Sequence, residues 1–297
     1  MRTLGIDVGA TFVKWVVLDL SDGPHIVADG TFETLAALGP AKGLERIGEL
    51  GREVAAAHAP IDRAGIGMPG PLDLERGRTV FLANMPGWED VPIVEPLEHL
   101  LGLPVGLIND ARAFTLAELE AGAGRGCKTL VGFAIGTGIG GGVVVDGRLL
   151  LGLNGTIGEL GHQAVVPDGP PCGCGSHGCL EAFAAAPAIA RAAGMATAEE
   201  VVTAARAGDA AAAAVLAEAG TYLGIGIANA VLTVGPERVV VGGGVAEAGE
   251  LILGPARREL TRRVTMMPLD RIEVVAAELG TLAGAIGAAL WGARGAG

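Results

Sequence analysis

Two stretches of this chain share one pattern: a hydrophobic strand, a glycine turn and a second hydrophobic strand. The first, TLGIDVGATFVKWVVLDL, begins at Thr3, and the second, KTLVGFAIGTGIGGGVVV, begins at Lys128. Each turn is too short to contain a helix, so each stretch predicts a hairpin. Segments with the apolar spacing of helices follow both hairpins. This weak internal repeat predicts an α/β protein with two lobes that could hold a ligand between them.

Composition and periodicity predict the other elements. Further strands are expected in PHIVADGTFE, RAGIGMPG, LPVGLIND, RVVVGGG and RIEVVAAE. Helices are expected at 41–58, in VPIVEPLEHLLG, in ARAFTLAELEAG, at about 185–232, directly after VVVGGG and in the closing TLAGAIGAALWGA. The pattern assigns residues 1–111 and the closing helix, about 283–297, to a small lobe, and residues 112–282 to a large lobe.

The charge and hydropathy of the chain limit its partners. The net charge is −12, which argues against nucleic acid, because binding the phosphate backbone requires an excess of lysine and arginine. Neither a long apolar region nor a cleavage-site pattern opens the sequence, so a cytoplasmic location is expected. Residues 219–236 carry no charge, but their glycines and polar residues favour a buried core helix over a membrane span.

Two glycine-rich segments match known nucleotide-binding motifs only in form. Gly136, Gly138 and Gly141 satisfy G-x-G-x-x-G, but that motif must open a helix, and here a valine-rich strand follows. GAGRGCKT, residues 122–129, is close to a P-loop, but Cys127 stands where a glycine must precede the lysine. The sequence therefore argues against both a dinucleotide-binding domain and a P-loop.

Glycine turns between strands suit another kind of phosphate site. Their backbone N–H groups can approach phosphate oxygens closely, and a threonine hydroxyl adds a donor. Asp7, at the end of the first strand, could hold Mg²⁺ directly or through water. Ordinary hairpins have the same composition, so the interpretation depends on several such turns occurring together. The candidate nucleotide-binding residues are Asp7, Gly9, Thr11, Gly136, Thr137, Gly138, Gly242, Gly243 and Gly244.

Two polar residues, Asn109 and Asp110, follow the apolar strand LPVGLI. Ligands bind at the carboxyl ends of strands in open α/β sheets. A carboxylate there could accept a hydroxyl proton during phosphoryl transfer. Asp110 also precedes a predicted helix, and aspartate is a preferred N-cap residue. Spacing alone leaves the catalytic and the capping interpretations open.

Cysteine is rare in this chain, and it is clustered. Three of the four cysteines form the C-x-C-x4-C pattern of Cys172, Cys174 and Cys179. In a cytoplasmic protein this pattern favours a zinc site over a disulfide, and it lacks the C-x-x-C of a redox pair. Zinc requires a fourth ligand, and spacing leaves both His162 and His177 open.

Such a site has no position left for water, so its predicted role is to fold an irregular segment. Glu159 and Glu181 flank that segment on its two sides. Their carboxylates could bind the hydroxyl groups of a sugar. The alternative is that both are surface charges.

The order of these motifs resembles that of the ROK family (repressor, ORF, kinase). DVGAT, GMPGPLD, NMPGW, IND, GTGIGGG, GELGH, CGCGSHGCLE and VVVGGG follow one another as they do in that family, from residue 3 to 297. The most specific part is E-x-G-H followed by C-x-C-G-x-x-G-C-L-E. The resemblance implies an actin-like ATPase (ribonuclease H-like) fold, with two lobes and a central cleft. It also implies ATP-dependent phosphorylation of glucose at the 6-hydroxyl.

The resemblance implies roles for the candidate residues. Asp110 would be the catalytic base that deprotonates the sugar 6-hydroxyl. His162, and not His177, would be the fourth ligand of a structural Zn²⁺, and its second ring nitrogen would face the sugar. Thr11 and Thr137, with their glycines, would hold the phosphates of ATP with Mg²⁺. The implied sugar ligands are Gly70, Asn109, Asp110, Glu159, His162 and Glu181, and the implied metal ligands are His162, Cys172, Cys174 and Cys179.

Three functions remain open from the sequence. The first is a glucokinase, and the second is a kinase for fructose, mannose, N-acetylglucosamine or N-acetylmannosamine. The third is a sugar-sensing repressor, which in this family carries a helix-turn-helix before the kinase-like part, whereas this acidic chain begins at the first strand. The expected ligands are glucose or a related hexose and ATP, without nucleic acid or membrane, and a homodimer or homotetramer is expected.

Overall fold

The computed structural model describes residues 1–9, 12–33, 39–82 and 85–295. The chain forms two compact units. The first comprises Met1–Ala121, Leu150–Ile157 and Thr281–Gly297, and the second comprises Gly122–Leu149 and Gly158–Gly280. The candidate Thr11 lies outside the described residues.

The described strands and helices confirm the elements predicted from periodicity, except that the helix expected directly after VVVGGG begins later, and they add several short ones. The strands are β1 (Arg2–Val8), β2 (Phe12–Asp19), β3 (His25–Glu33), β4 (Arg63–Met68), β5 (Leu72–Asp73), β6 (Arg78–Thr79), β7 (Val105–Asn109), β8 (Leu130–Ile135), β9 (Ile139–Val145), β10 (Arg148–Leu149), β11 (Arg238–Gly242) and β12 (Glu273–Ala276). The α-helices are α1 (Pro40–Ala57), α2 (Val94–Leu101), α3 (Asp110–Ala121), α4 (Glu181–Ala184), α5 (Ala186–Ala193), α6 (Ala198–Arg206), α7 (Ala210–Val234), α8 (Glu250–Arg263) and α9 (Ala283–Arg294).

Both units contain a five-stranded sheet with the same plan. The strand order is β3-β2-β1-β4-β7 in the first unit and β10-β9-β8-β11-β12 in the second. In each sheet the first three strands along the chain form antiparallel pairs. The fourth strand of the sheet then pairs in parallel with the first, and the fifth pairs in parallel with the fourth. The internal repeat predicted from the two glycine turns is therefore confirmed as a repeat of sheet topology.

Three glycines cross the first sheet side by side. Gly5, Gly65 and Gly106 are paired neighbours in β1, β4 and β7, and α9 lies directly on them. A Cβ atom on Gly65 would be 1.7 Å from the Ala288 carbonyl oxygen, and one on Gly5 would be 2.0 Å from that of Ala285. We call Gly5, Gly65 and Gly106 the glycine row. It lets the backbone of α9 contact the backbone of the sheet.

The opposite face of the first sheet carries the apolar core of this unit. Leu4 and Ile6 alternate with the glycine row, because successive side chains of a strand point to opposite faces. Both are buried, and both pack on α1, where a Cβ atom on Gly51 would be 3.7 and 3.3 Å from their methyl groups. Leu44 and Ile47 of α1 are buried in the same cluster. The predicted helix 41–58 is therefore amphipathic and covers this face.

The structure divides the chain at residues 121 and 122 rather than at 111 and 112. The cause is α3, which packs on α9: a Cβ atom on Gly287 would be 1.8 Å from the Ala113 carbonyl oxygen. Leu150–Ile157, expected in the large lobe, also belongs to the first unit, where a Cβ atom on Gly155 would be 2.8 Å from the side chain of Leu74. The closing helix, α9, lies in the first unit.

Among the described residues, α7 is the one helix long and apolar enough to cross a membrane. Within the second unit it packs closely on α8. Cβ atoms on Gly220 and Gly224 would be 2.4 and 2.6 Å from the carbonyl oxygens of Ile252 and Ala256. This helix-on-helix contact supports the prediction of a core helix for residues 219–236.

Candidate functional site

Polar residues of the first unit meet at one edge of its sheet. β1, β4 and β7 are parallel neighbours, with Asp7 paired to Gly67 and Met68 paired to Asn109. The carboxyl ends of these strands therefore lie side by side, which is where open α/β sheets bind ligands. Gly70 follows β4 at the same edge, and its carbonyl oxygen accepts a hydrogen bond of 3.1 Å from Asn109 Nδ2. The structure thus brings together candidates that are far apart in the sequence.

Asn109, rather than Asp110, caps the amino end of α3. Asn109 Oδ1 accepts hydrogen bonds from the backbone N–H groups of Ala111 (3.0 Å) and Arg112 (3.3 Å). Asp110 is the first residue of the helix, and its Oδ1 accepts a 2.8 Å hydrogen bond from the N–H of Ala111. The capping interpretation of Asp110, which spacing left open, is therefore weakened in favour of its neighbour.

Arg112 is a residue of this edge that the sequence did not reveal. Its side chain is buried, and its Nη1 donates a 2.8 Å hydrogen bond to Asn109 Oδ1. Its Nε donates to the carbonyl oxygen of Ile157 at 2.9 Å. The helical spacing from Asn109 is compatible with the first contact, but the second joins residues 45 positions apart. Arg112 thus fixes the orientation of the Asn109 amide.

The carboxylate of Asp7 fits into space left by two glycines. A Cβ atom on Gly284 would be 2.4 Å from Asp7 Oδ2, and one on Gly67 would be 3.4 Å from Oδ1. Loss of hydration and then the negative charge of Asp110 raise the pKa of Asp7 to about 7, while Lys14 lowers it. A cation would relieve the repulsion between these two carboxylates. The donor set therefore fits the hard, oxygen-ligated Mg²⁺.

The first two glycine turns differ in their described contacts. In the first, the N–H of Gly9 donates a 3.0 Å hydrogen bond to the carbonyl oxygen of Phe12 and so closes the hairpin of β1 and β2. In the second, the N–H of Gly136 donates to the carbonyl oxygen of Gly138 at 2.9 Å, and Thr137 between them is exposed. The hydroxyl of Thr137 is thus accessible to a ligand of the second unit.

The third glycine segment lies at the same sheet edge as the second turn. Gly242 is the last residue of β11. Gly243 has φ 84°, and a Cβ atom added to it would be only 2.3 Å from the Ile135 carbonyl oxygen at the end of β8. The helix predicted directly after Gly242 begins later than expected. Gly244–Ala248 forms a 3-10 turn, and Gly249 with φ 60° separates this turn from α8. A left-handed glycine interrupts the helix at that point.

Four predicted metal ligands converge in the second unit. The ligand atoms of His162, Cys172, Cys174 and Cys179 all lie within 4.8 Å of one another. Cys174 Sγ is 3.8 Å from Cys179 Sγ, and Cys172 Sγ is 3.7 Å from His162 Nδ1. A tetrahedral zinc site has S–S edges of about 3.8 Å and S–N edges of about 3.6 Å. The donor set and its spacing fit zinc, whereas His177 is exposed and outside the group.

The two flanking glutamates make different contacts. Glu159 Oε2 lies 3.8 Å from His162 Nε2, the ring nitrogen that does not face the cysteines. Glu181 Oε2 accepts a 2.9 Å hydrogen bond from the backbone N–H of Ile139, next to the second glycine turn. The sequence predicts a sugar ligand or a surface charge at Glu181, but it gives no sign of this hydrogen bond, which spans 42 positions.

Comparison with known proteins identifies the family of this chain. The model described as "ROK family" matches residues 3–294.
The chain belongs to the ROK family.
A glucokinase of Thermotoga maritima is 39% identical to this ROK chain, with 97% of the chain and 96% of the relative covered.

Two solved structures resemble this ROK chain over nearly its whole length. The ROK hexokinase of Thermus thermophilus is 37% identical, with a TM-score of 0.86 and 99% and 98% of the two chains covered. A ROK glucokinase of Streptomyces griseus, solved in complex with glucose and AMPPNP, is 31% identical, with a TM-score of 0.87 and 99% and 100% covered. The predicted actin-like ATPase fold is confirmed by these neighbours.

Proposed function

We propose that this ROK chain is a glucokinase, which transfers the γ-phosphoryl group of ATP to the 6-hydroxyl of glucose. The observation that carries the proposal is the near full-length similarity to the glucokinase of Thermotoga maritima, at 39% identity. The Streptomyces griseus glucokinase binds glucose and the ATP analogue AMPPNP with the same fold. The strand-end carboxylates of the first unit and the glycine turns of both units supply the chemistry that such a transfer requires.

Asp110 is the proposed base of this reaction. It follows the carboxyl end of β7, and the capping of α3 is carried out by Asn109. Asp110 would accept the proton of the 6-hydroxyl as the oxygen forms its bond to phosphorus and the bond to the ADP oxygen breaks. Asn109, oriented by Arg112 and bonded to Gly70, is a proposed ligand of sugar hydroxyls.

The glycine turns are the proposed phosphate sites. Backbone N–H groups of Thr137, Gly138 and residues 242–244 would donate to phosphate oxygens, with the hydroxyls of Thr11 and Thr137. The N–H groups of Gly9 and Gly136 instead donate within their own turns and hold the shape of these turns. Mg²⁺ bound with ATP would neutralise charge on the phosphates, and Asp7 is its proposed protein contact. Burial and then the negative charge of Asp110 raise the pKa of Asp7 to about 7, and the second of these causes supports the assignment, because a cation would offset the repulsion between the two carboxylates.

In the second unit, Glu159, His162 and Glu181 are the proposed sugar ligands. The contact between His162 Nε2 and Glu159 at 3.8 Å supports this, since it leaves Nδ1 for the metal. We further propose a cytoplasmic location and a homodimer or homotetramer, on the resemblance to the family. Light scattering of the purified protein would give the oligomeric state.

The four-ligand cluster is proposed to hold a structural Zn²⁺. A tetrahedral site with three cysteines and one histidine has no open position, so the metal would fold the segment and take no part in the chemistry. The segment has little apolar core of its own, since Cys174, Gly175 and His177 are exposed. Metal bonds would replace that missing core.

Purified protein is expected to contain about one zinc per chain, and chelation is expected to lower the melting temperature. Elemental analysis and thermal unfolding measure both. Cys179→Ser should lose the metal, because a serine hydroxyl is a poor zinc ligand. Cys127→Ser is the matched control, since Cys127 lies outside the cluster, and it should keep the metal. Less than about half an atom of zinc per chain in freshly purified protein would contradict the site.

The proposed activity is tested by ADP release over a panel of sugars. Glucose with ATP is expected to give the highest kcat/KM among glucose, fructose, mannose, N-acetylglucosamine and N-acetylmannosamine. With polyphosphate as the alternative donor no ADP forms, so the sugar phosphate is measured instead. The second candidate function is a kinase with a broader or different sugar preference. The Thermus thermophilus relative is named a hexokinase, which favours this candidate. No ADP release with any of these sugars would contradict an ATP-dependent sugar kinase.

A further inference from the structure

The second glycine turn is held by a carboxylate. Glu181 Oε2 accepts the N–H of Ile139 at 2.9 Å, at the first residue of β9. A Cβ atom on Gly138 would be 2.5 Å from the same oxygen. The carboxylate therefore occupies the space that any side chain at Gly138 would need. A hydrogen bond to a charged acceptor in a partly buried place is stronger than one between neutral groups.

A second hydrogen bond holds the other end of this turn. The N–H of Ala186, at the start of α5, donates to the carbonyl oxygen of Gly136 at 2.9 Å. Glu181 and Ala186 belong to one short segment that contains α4 and the start of α5. This segment thus contacts the turn immediately before and immediately after Thr137 and Gly138.

The segment that holds the turn is itself anchored in the cysteine cluster. Cys179, a fully buried member of the cluster, lies two residues before Glu181, and Cys172 Sγ lies 3.6 Å from Glu181 Oε1. Between them Leu180 is fully buried, and its N–H donates to the carbonyl oxygen of Gln163 at 3.0 Å. The backbone that carries Glu181 is therefore held by the buried side chains of Cys179 and Leu180 and by the hydrogen bond from Leu180 to Gln163.

We infer that Glu181 is a positioning residue for the turn 136–139, which it holds in the conformation that presents the N–H groups of Thr137 and Gly138 to phosphate. The inference deepens the proposed function and rests on it, because it assigns the turn to ATP. It also differs from the sugar contact that the family resemblance implies for Glu181. A positioning residue acts on nucleotide binding in the absence of sugar, whereas a sugar ligand does not.

The test compares Glu181→Ala with the wild type in the zinc-loaded, full-length protein. Hydrogen exchange of the Ile139 amide, measured by NMR, is expected to accelerate about tenfold or more, the factor for losing a hydrogen bond to a charged group. Calorimetric titration with AMPPNP and no sugar is expected to show about tenfold weaker binding. Glu181→Gln, which keeps an acceptor oxygen, should restore most of both. Glu159→Ala, a carboxylate loss in the same unit, should leave Ile139 exchange unchanged.

A second variant keeps Glu181 but forces its carboxylate away from the turn, because the new Cβ atom at position 138 takes its place. Gly138→Ala should accelerate Ile139 exchange as Glu181→Ala does, and the two effects should not add in the double variant. Unchanged Ile139 exchange in both variants would overturn the inference, as would unchanged or tighter AMPPNP binding in Glu181→Ala. If the wild type itself bound no AMPPNP, the proposed function would fail, and the inference would fail with it for that separate reason. Exchange of the Ile139 amide would still show whether Glu181 holds the turn.

Discussion

Replacing Asp110 with asparagine is expected to lower kcat by about 10²- to 10⁴-fold, the usual contribution of a general base. The amide keeps an oxygen that can accept the N–H of Ala111, so α3 should remain intact. It cannot accept the proton of a sugar hydroxyl. Glucose affinity should change much less than turnover, because the shape of the site is retained. Coupled ADP release gives kcat, and calorimetry gives the dissociation constant of glucose.

The control for this variant is the same substitution at the opposite edge of the sheet. Asp62→Asn lies just before β4, where its carboxylate accepts the N–H of Arg2 at 2.9 Å, and it should leave kcat unchanged. Because the charge of Asp110 is one cause of the raised pKa of Asp7, Asp110→Asn should also lower the pKa of Asp7. Turnover close to that of the wild type in Asp110→Asn would contradict the assignment of the base.

Adding one methyl group to the glycine row is expected to cause the second large effect. In Gly65→Ala the new Cβ atom would lie 1.7 Å from the Ala288 carbonyl oxygen, so α9 must move away from the sheet. Overpacking of this kind costs about 3 kcal/mol when the obstacle is backbone. The melting temperature should fall by about 6–10 °C. Urea unfolding and calorimetry measure the loss.

Gly254→Ala is the matched control for Gly65→Ala. Gly254 lies inside α8, and its nearest neighbours would be side-chain ends 3.4 and 3.5 Å from the new Cβ. Alanine is a better helix former than glycine by about 1 kcal/mol, so this variant should be as stable as the wild type or more stable. A melting temperature for Gly65→Ala within about 1 °C of the wild type would contradict the packing of α9 on the glycine row.

Much of the fold could be predicted because its signals are local. Hydrophobic runs separated by glycine turns predict the strands of both sheets, and the repeat of that pattern predicts their common topology. The strand-end position of Asn109 and Asp110 placed them at a ligand-binding edge, because that position follows from strand direction alone. The cysteine pattern predicted a metal cluster for the same reason, since the spacing of its ligands is short.

The rest depended on contacts between distant segments. Nothing in the sequence near Leu150–Ile157 shows that it joins the first unit, because its partner Arg112 is 45 positions from Ile157. The choice of His162 over His177 likewise came from resemblance rather than from spacing. The hydrogen bond between Glu181 and Ile139 joins residues 42 positions apart. Periodicity reports which face of an element is buried, but not which backbone it touches.

The place of α9 on the glycine row has a consequence for synthesis on the ribosome. Residues up to Ala121 emerge first, but the helix that covers their sheet follows only after the roughly 160 residues between Ala121 and Thr281. At translation rates of about 5–20 residues per second, that interval lasts about 8–32 s. During this time one face of the nascent sheet, from Gly5 to Gly106, stays uncovered. The first unit is therefore completed only after the second has been synthesised, because α9 is one of its elements.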